Sequence, residues 1–266
     1  MTSIALEAAS IGDDLGGRPA TREVFFVGCG ASLADLYPAR YFLAERSASL
    51  HVDSYSSNEF VHATPRALGE RSVVIACSHG GGTKETVESM RIAQDAGAFT
   101  VALTNNASAE ISTFASKSLV YDWGDQTAVT DNPIAITLAL ALEILARTEG
   151  VEDYDKFRRA LESIDEIVGV ACRDVRERTR IFADVFRDES FFYVLSSGAS
   201  FQHAYAFAIC SLMEMQWLNA SAIHSGEFFH GPFEITDETT PLILLINEGR
   251  TRPLDERVRR FLDRYA

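Results

Sequence analysis

Apolar residues along this chain come in short unbroken runs, each followed by small residues and then by a helical pattern. Val24-Phe25-Phe26-Val27 runs into Gly28-Cys29-Gly30, and a helix is expected from Ala31 to about Arg46. His51 to Tyr55 is strand-like, and Ser72 to Cys77 is a β-branched, apolar run ending in a glycine-rich turn. Behind that turn a helix is expected from about Thr83 to Ala96, with further strands at Phe99 to Thr104 and Ser118 to Tyr121. Asp131-Asn132-Pro133 supplies a cap and an early proline for a long apolar helix reaching about Thr148. Runs such as Val73-Val74-Ile75-Ala76-Cys77, without polar alternation, suit strands buried on both faces. Strands alternating with helices imply a parallel sheet covered on both sides.

From Glu152 to about Asp188 the chain is charged and helical, with arginines interleaved among acids, and reads as a solvated connector. Then the pattern restarts. Phe191-Phe192-Tyr193-Val194-Leu195 runs into Ser196-Ser197-Gly198-Ala199-Ser200, echoing the run into Gly28-Cys29-Gly30-Ala31-Ser32. Gly198 lies 168 residues after Gly30, and the same offset carries the strand near Ser72 to the apolar stretch Pro241 to Ile246. The chain therefore reads as two related α/β modules. The first covers residues 1–150, a helical connector 151–189, and the second module 190–266. Each module is expected to be a three-layer α/β/α unit. The second should lack about two strands and a closing helix, either as a shortened copy or because the chain is a fragment.

Composition narrows the partners. Of the 266 residues 47% are hydrophobic and 23% charged, an ordinary globular mix. A formal net charge of -14 argues against nucleic acid, which calls for a basic patch. It leaves room for a small phosphate, which backbone amides at a helix start bind without Lys or Arg. No apolar run approaches the roughly 20 residues needed to span a bilayer. Met1 to Ala20 carries Glu7, Asp13 and Asp14 and does not read as a signal peptide. Cys29, Cys77, Cys172 and Cys210 form no C-x-x-C pair and read as reduced thiols of a cytoplasmic protein.

The first candidate site is the turn Ser78-His79-Gly80-Gly81-Gly82-Thr83 between a buried strand and a helix. In a parallel sheet this is the carboxyl end, where ligands bind. Glycines let backbone amides approach an anion, Ser78 and Thr83 add hydroxyls, and the helix start adds a positive partial charge. Neither a Walker A loop nor G-x-G-x-x-G fits. A tight turn without a ligand is the alternative. Ser32, behind Gly30, is either an N-cap or a ligand hydroxyl. His79 is a weaker substrate contact.

The second candidate is a carboxylate with a histidine. Glu214 lies among Leu212, Met213, Met215 and Trp217, where burial would raise its pKa unless it is paired or used. The alternative is a polar stripe made with Gln216. In Ser225-Gly226-Glu227-Phe228-Phe229-His230-Gly231-Pro232, Gly-Pro fixes a turn and holds the His230 imidazole in a loop. A loop histidine near a carboxylate is a candidate proton shuttle, and a structural histidine is the alternative. His224, Glu227 and Asp125 are lesser candidates. No metal or cofactor set is evident.

Together these residues resemble the sugar-isomerase (SIS) superfamily over nearly the whole chain, arranged as a double-module protein. The phosphate loop of that family is matched by Ser78, Gly81 and Thr83, its Gly-x-Ser element by Gly30 and Ser32, and its Ser-x-Glu-Phe element by Ser57-Asn58-Glu59-Phe60. The family's catalytic Glu and the His of its His-Gly-Pro motif stand sixteen residues apart, as Glu214 and His230 do. The isomerase half of glucosamine-6-phosphate synthase has a lysine three residues before its Glu, where this chain has Ser211. That departure, and the Glu-Phe-Phe-His-Gly-Pro string, resemble the fructosamine-6-phosphate deglycases of the fructoselysine and glucoselysine type.

The resemblance implies a phosphorylated sugar or Amadori compound as substrate, without a cofactor, and roles for Gly30, His224 and Glu227 in substrate binding. It also implies a homodimer with sites at the subunit boundary, where His230 serves its own pocket or its neighbour's; in relatives a C-terminal segment closes over the site, and no such segment is expected within this chain as given. Two other activities fit the same family: an aldose-ketose sugar-phosphate isomerase, and a non-catalytic phosphosugar sensor. Sensors of this kind usually add a DNA-binding helical domain, for which the short acidic N-terminus leaves no room.

Overall fold

The structure is a computed structural model and describes residues 3–124 and 126–266; the Asp125 candidate lies outside them. The chain divides into two compact units, Met1–Ala171 and Cys172–Ala266.

The first unit is a five-stranded sheet in the order β2-β1-β3-β4-β5. Its strands are β1 (Glu23–Gly28), β2 (His51–Ser56), β3 (Ser72–Cys77), β4 (Phe99–Thr104) and β5 (Lys117–Val120), and every neighbouring pair is parallel. Alternate residues of β1 explain its unbroken apolar run. Val24 and Phe26 face a core built with α1 (Ser3–Leu15), α2 (Ala31–Arg46) and α5 (Pro133–Thr148). Phe25 and Val27 face the opposite core, built with α3 (Ser57–His62) and α4 (Lys84–Asp95). A strand clad on both sides has no polar face to alternate with. The sequence reading finds these strands and the three long helices to within about two residues, and leaves α1, α3 and the 3-10 turn Glu110–Phe114 unassigned. Asn132 caps α5 by accepting the Ala135 N–H at 3.0 Å, with Pro133 in the first turn.

Two helices follow, α6 (Tyr154–Glu162) and α7 (Ile164–Val185), and neither buries a residue. The division between the units falls within α7.

The second unit holds a smaller parallel sheet in the order β7-β6-β8. Its strands are β6 (Phe191–Ser196), β7 (Asn219–His224) and β8 (Leu242–Leu244). Helix α8 (Phe201–Ala206) continues into a π-helical segment, Phe207–Met215, and α9 (Arg252–Tyr265) ends the chain as given. Three strands against five make this unit the partial one. Its pairing repeats that of the first. Glu23 pairs with His51 and Phe25 with Val74; Phe191 pairs with Asn219 and Tyr193 with Leu242, each residue 168 positions further on. Helix α9 begins at Arg252 and α4 at Lys84, again 168 apart. Strand β7, unassigned from sequence, is the counterpart of β2 at that same offset.

Candidate functional site

The strand order gives the first unit a topological switch point. From β1 the chain crosses to β2 on one side and returns to β3 on the other, so the connections diverge between β1 and β3. Open parallel sheets bind ligands at the carboxyl ends beside such a switch point. The loops there are the two that the sequence singles out, Gly28 to Ser32 after β1 and Ser78 to Thr83 after β3.

The second loop is held tightly from below. Gly81 donates to the Ser78 carbonyl and accepts from Ile111, both at 3.0 Å, while Thr104 Oγ1 and the Asn105 amide donate to the His79 carbonyl. Gly81 has φ 70°, and a Cβ there would sit 2.1 Å from the Ala109 Cβ. Only glycine fits that position. The amides of Gly80, Gly82 and Thr83 donate to no protein group among the described residues. Thr83 is the N-cap of α4 yet makes no side-chain cap; its hydroxyl lies 3.0 Å from the buried Ser78 hydroxyl instead. Helix α2 also starts without a side-chain cap, on Gly30 at φ 55°. That removes one of the two alternatives for Ser32, which is not the cap but the second residue of α2, with its hydroxyl against the Cys77 thiol. Two helix starts without side-chain caps, and amides without a protein acceptor among the described residues, thus lie at the ends of β1 and β3, a type of geometry suited to an anion.

A polar chain runs from the exposed His79 of the loop to buried groups beneath it. His79 Nδ1 is 3.1 Å from the Tyr121 hydroxyl, which meets the Cys77 thiol. Burial pushes Cys77 up to about 12 and raises Tyr121 above its ordinary value, so both stay protonated at neutral pH. Asp35, on α2 one turn past Ser32, is raised to about 6 by burial. The sequence reading does not select Asp35. The available signal is its place three residues after Ser32, on the same helix face. Trp123, 60% exposed, stands edge-on to His79 with ring centres 5.5 Å apart. A separate cavity of about 480 Å³ lies between α5 and α6, lined by Ile136, Glu143, Tyr154 and Arg158 among others, and takes in neither loop. None of the four cysteines forms a disulfide.

In the second unit Glu227 and His230 share the loop that follows β7, which ends at His224. Glu227 donates its amide to the His224 carbonyl at 2.8 Å, and His230 donates to the Glu227 carbonyl at 2.9 Å. His224 Nδ1 accepts the Gly226 amide at 3.1 Å, and its ring packs edge-on to Phe201. Phe228, fully buried with Leu195 and Val258, anchors this loop and leaves His230 exposed at its tip. Gly231 at φ 141° and Pro232 form the turn expected of Gly-Pro.

Glu214 sits near the end of the π-helical segment, and here the sequence expectation fails. Glu214 is exposed, together with Met213, Met215 and Trp217; the last two are 71% and 89% exposed. Only Leu212 of this group is buried, so the apolar neighbours do not desolvate the carboxylate within one chain. Trp217 adopts a left-handed backbone at φ 59°, uncommon for a bulky residue. No hydrogen bond joins Glu214 to His230 among the described residues. Ser211 stands one turn before Glu214 on the same segment.

Residues 20–146 match the model of the SIS domain. The chain is 40% identical over 246 residues to fructosamine deglycase FrlB of Bacillus subtilis, covering 91% of this chain and 74% of that protein. It is 28% identical over 239 residues to fructoselysine 6-phosphate deglycase of Escherichia coli K12, covering 90% of this chain and 69% of that one. Among solved structures, a Salmonella typhimurium protein named only provisionally, as a phosphosugar isomerase, superposes with a TM-score of 0.97 at 44% identity. That match covers 100% of this chain and 80% of the other.

Proposed function

The chain belongs to the SIS domain family, with deglycases among its relatives, and on that premise we propose that it hydrolyses a 6-phosphorylated fructosamine to an aldose 6-phosphate and a free amine. The observation that carries this reading is the 40% identity to a fructosamine deglycase. A match over 91% of the chain takes in both the Ser78 to Thr83 loop and the segment from Glu214 to His230. The second unit, on this reading, is a partial SIS module.

The residues support the chemistry in named roles. Ser78, Thr83, Ser32 and the free amides of Gly80 and Gly82 receive the phosphate, which supplies remote binding energy for positioning. Gly30 and Gly81 shape the two loops, and His79 borders the second. His230 moves a proton at the ring oxygen to open the sugar. Glu214 removes a proton from C1 of the open-chain ketosamine, giving an enaminol, and a proton returned to C2 gives the C1 imine. Water then adds to that imine, and the amine leaves. Nitrogen is already on C1 of such a substrate, so no enzyme lysine is needed to form the imine, in keeping with Ser211 one turn before Glu214. The exposure of Glu214 and His230 in the single chain leaves both open to a substrate or a second subunit, as the expected homodimer requires. His224 and Glu227 brace the histidine loop.

Glu214→Gln keeps the shape and removes the base. Turnover of a phosphorylated fructosamine should fall at least about 100-fold while glucose 6-phosphate still binds. Free amine and sugar phosphate are assayed together. Near-normal turnover would sink the assignment, and isomer exchange without amine release would identify an aldose-ketose isomerase instead.

A further inference from the structure

Trp123 is one of two tryptophans in the chain, and 60% of its surface is open to solvent. It stands edge-on to the His79 ring of the Ser78 to Thr83 loop, with ring centres 5.5 Å apart. His79, Gly80, Gly82 and Thr83 are exposed as well, so a solute reaches the loop and the indole alike. An indole is a large apolar surface, and holding one in water forgoes free energy that burial would recover. Packing does not call for it, because neither apolar core of the first unit includes Trp123.

Hydrogen bonds nonetheless fix the indole beside the loop. One pair of residues at the end of β4 holds both. Thr104 Oγ1 at 3.0 Å and the Asn105 amide at 2.9 Å donate to the His79 carbonyl. The Thr104 carbonyl accepts the Tyr121 amide at 3.0 Å, and the Asn105 side chain donates to the Tyr121 carbonyl at 2.9 Å. The Tyr121 hydroxyl then meets His79 Nδ1 at 3.1 Å. Two residues further on, the Trp123 amide donates to the Asp122 carboxylate at 2.9 Å. Loop and indole thus share one frame, and the His79 ring bridges them.

We propose that Trp123 is a specificity-determining residue whose indole packs on the C–H face of the sugar while the phosphate occupies the loop. The ring carbons of a hexose 6-phosphate lie only a few bonds from the phosphorus. In glucose the hydroxyls project around the rim of the ring and leave C–H groups on its faces. Backbone amides and hydroxyls have no purchase on such a face, whereas an indole offers it matching apolar area at little cost in side-chain entropy. This inference rests on the phosphosugar reading of the loop. It adds a contact with the part of the ligand that inorganic phosphate lacks.

Titration calorimetry of the full chain with glucose 6-phosphate and with inorganic phosphate separates the indole from the loop. Trp123→Ala should bind glucose 6-phosphate about tenfold more weakly than wild type, and inorganic phosphate within about twofold of it. Trp123→Phe, which keeps a flat ring, should recover most of the loss. Wild-type affinity for glucose 6-phosphate in Trp123→Ala overturns the proposal. So does an equal loss of both probes, since the indole would then only prop the loop through His79. In a second measurement, Trp217→Phe leaves Trp123 as the chain's one tryptophan. Its emission should move to shorter wavelength and resist acrylamide quenching on adding glucose 6-phosphate, and should stay unchanged on adding inorganic phosphate. An unchanged spectrum at saturating glucose 6-phosphate overturns the contact. The affinities decide if Trp217→Phe does not fold, and the spectra decide if Trp123→Ala does not. Failure of wild type to bind either probe would overturn the phosphosugar reading together with this one, whereas tight binding that ignores Trp123→Ala removes the Trp123 role alone.

Discussion

Three consecutive glycines look alike in sequence, yet the structure gives them unequal work. Gly80 and Gly82 have open space where a Cβ would go. Gly81 combines φ 70° with a Cβ position 2.1 Å from Ala109 and 2.9 Å from Thr104 Oγ1. Gly81→Ala should cost about 1–3 kcal/mol through backbone strain and collision, and should abolish glucose 6-phosphate binding. Gly82→Ala should leave stability within about 1 kcal/mol of wild type. Thermal unfolding and ligand titration of the two variants side by side check this, and equal Tm values would show that the loop relaxes at little cost. At this scale the sequence reveals residue types but not their accessibility. Glu214 illustrates the limit: a carboxylate between Met213 and Met215 reads as desolvated, and both methionines prove exposed. Asp35 is the converse, a lone helix acid whose burial comes from residues distant in sequence.

Among the elements, the two ways a helix start is treated separate stability from function. Asn132 spends its side chain on the Ala135 amide of α5, whereas Thr83 leaves the first amides of α4 uncapped. Asn132→Ala should therefore lower stability by about 1 kcal/mol without changing phosphosugar affinity. Thr83→Ala should do the reverse, leaving Tm nearly unchanged and weakening glucose 6-phosphate binding about tenfold or more through the lost hydroxyl. A Thr83 variant that unfolds early yet binds normally would return that hydroxyl to a capping role. Most elements were legible because their signals are local: an apolar run clad on both faces, Asn-Pro before α5, glycine behind β1 and β3. The π-helical segment Phe207–Met215 was not, because its composition suits an α-helix equally well and the wider register leaves no periodic trace over nine residues. Helix α3, six residues long, is likewise too short to declare itself by periodicity.

For the whole molecule, the informative signal is the 168-residue offset, since it carries strand pairing as well as sequence pattern from one unit to the other. Period detection works at long range because each module must bury its own sheet, so apolar runs recur wherever a strand recurs. Each unit accordingly has its own core. Phe26 is buried in the core on one face of the first sheet, and Phe228 is buried with Leu195, Val258 and a cluster of phenylalanines in the second. Each Phe→Ala change should remove about 3–5 kcal/mol from the unit that contains it. Hydrogen exchange followed by mass spectrometry locates the loss. Phe26→Ala should accelerate exchange mainly in the strands β1 to β5, and Phe228→Ala mainly in β6 to β8, because sub-global opening follows cooperative units with separate cores. Glucose 6-phosphate should then protect the Ser78 to Thr83 loop in Phe228→Ala nearly as well as in wild type, since none of the groups that hold that loop lies in the second unit's core. If both variants instead lose protection evenly along the chain, the two units open as a single cooperative body.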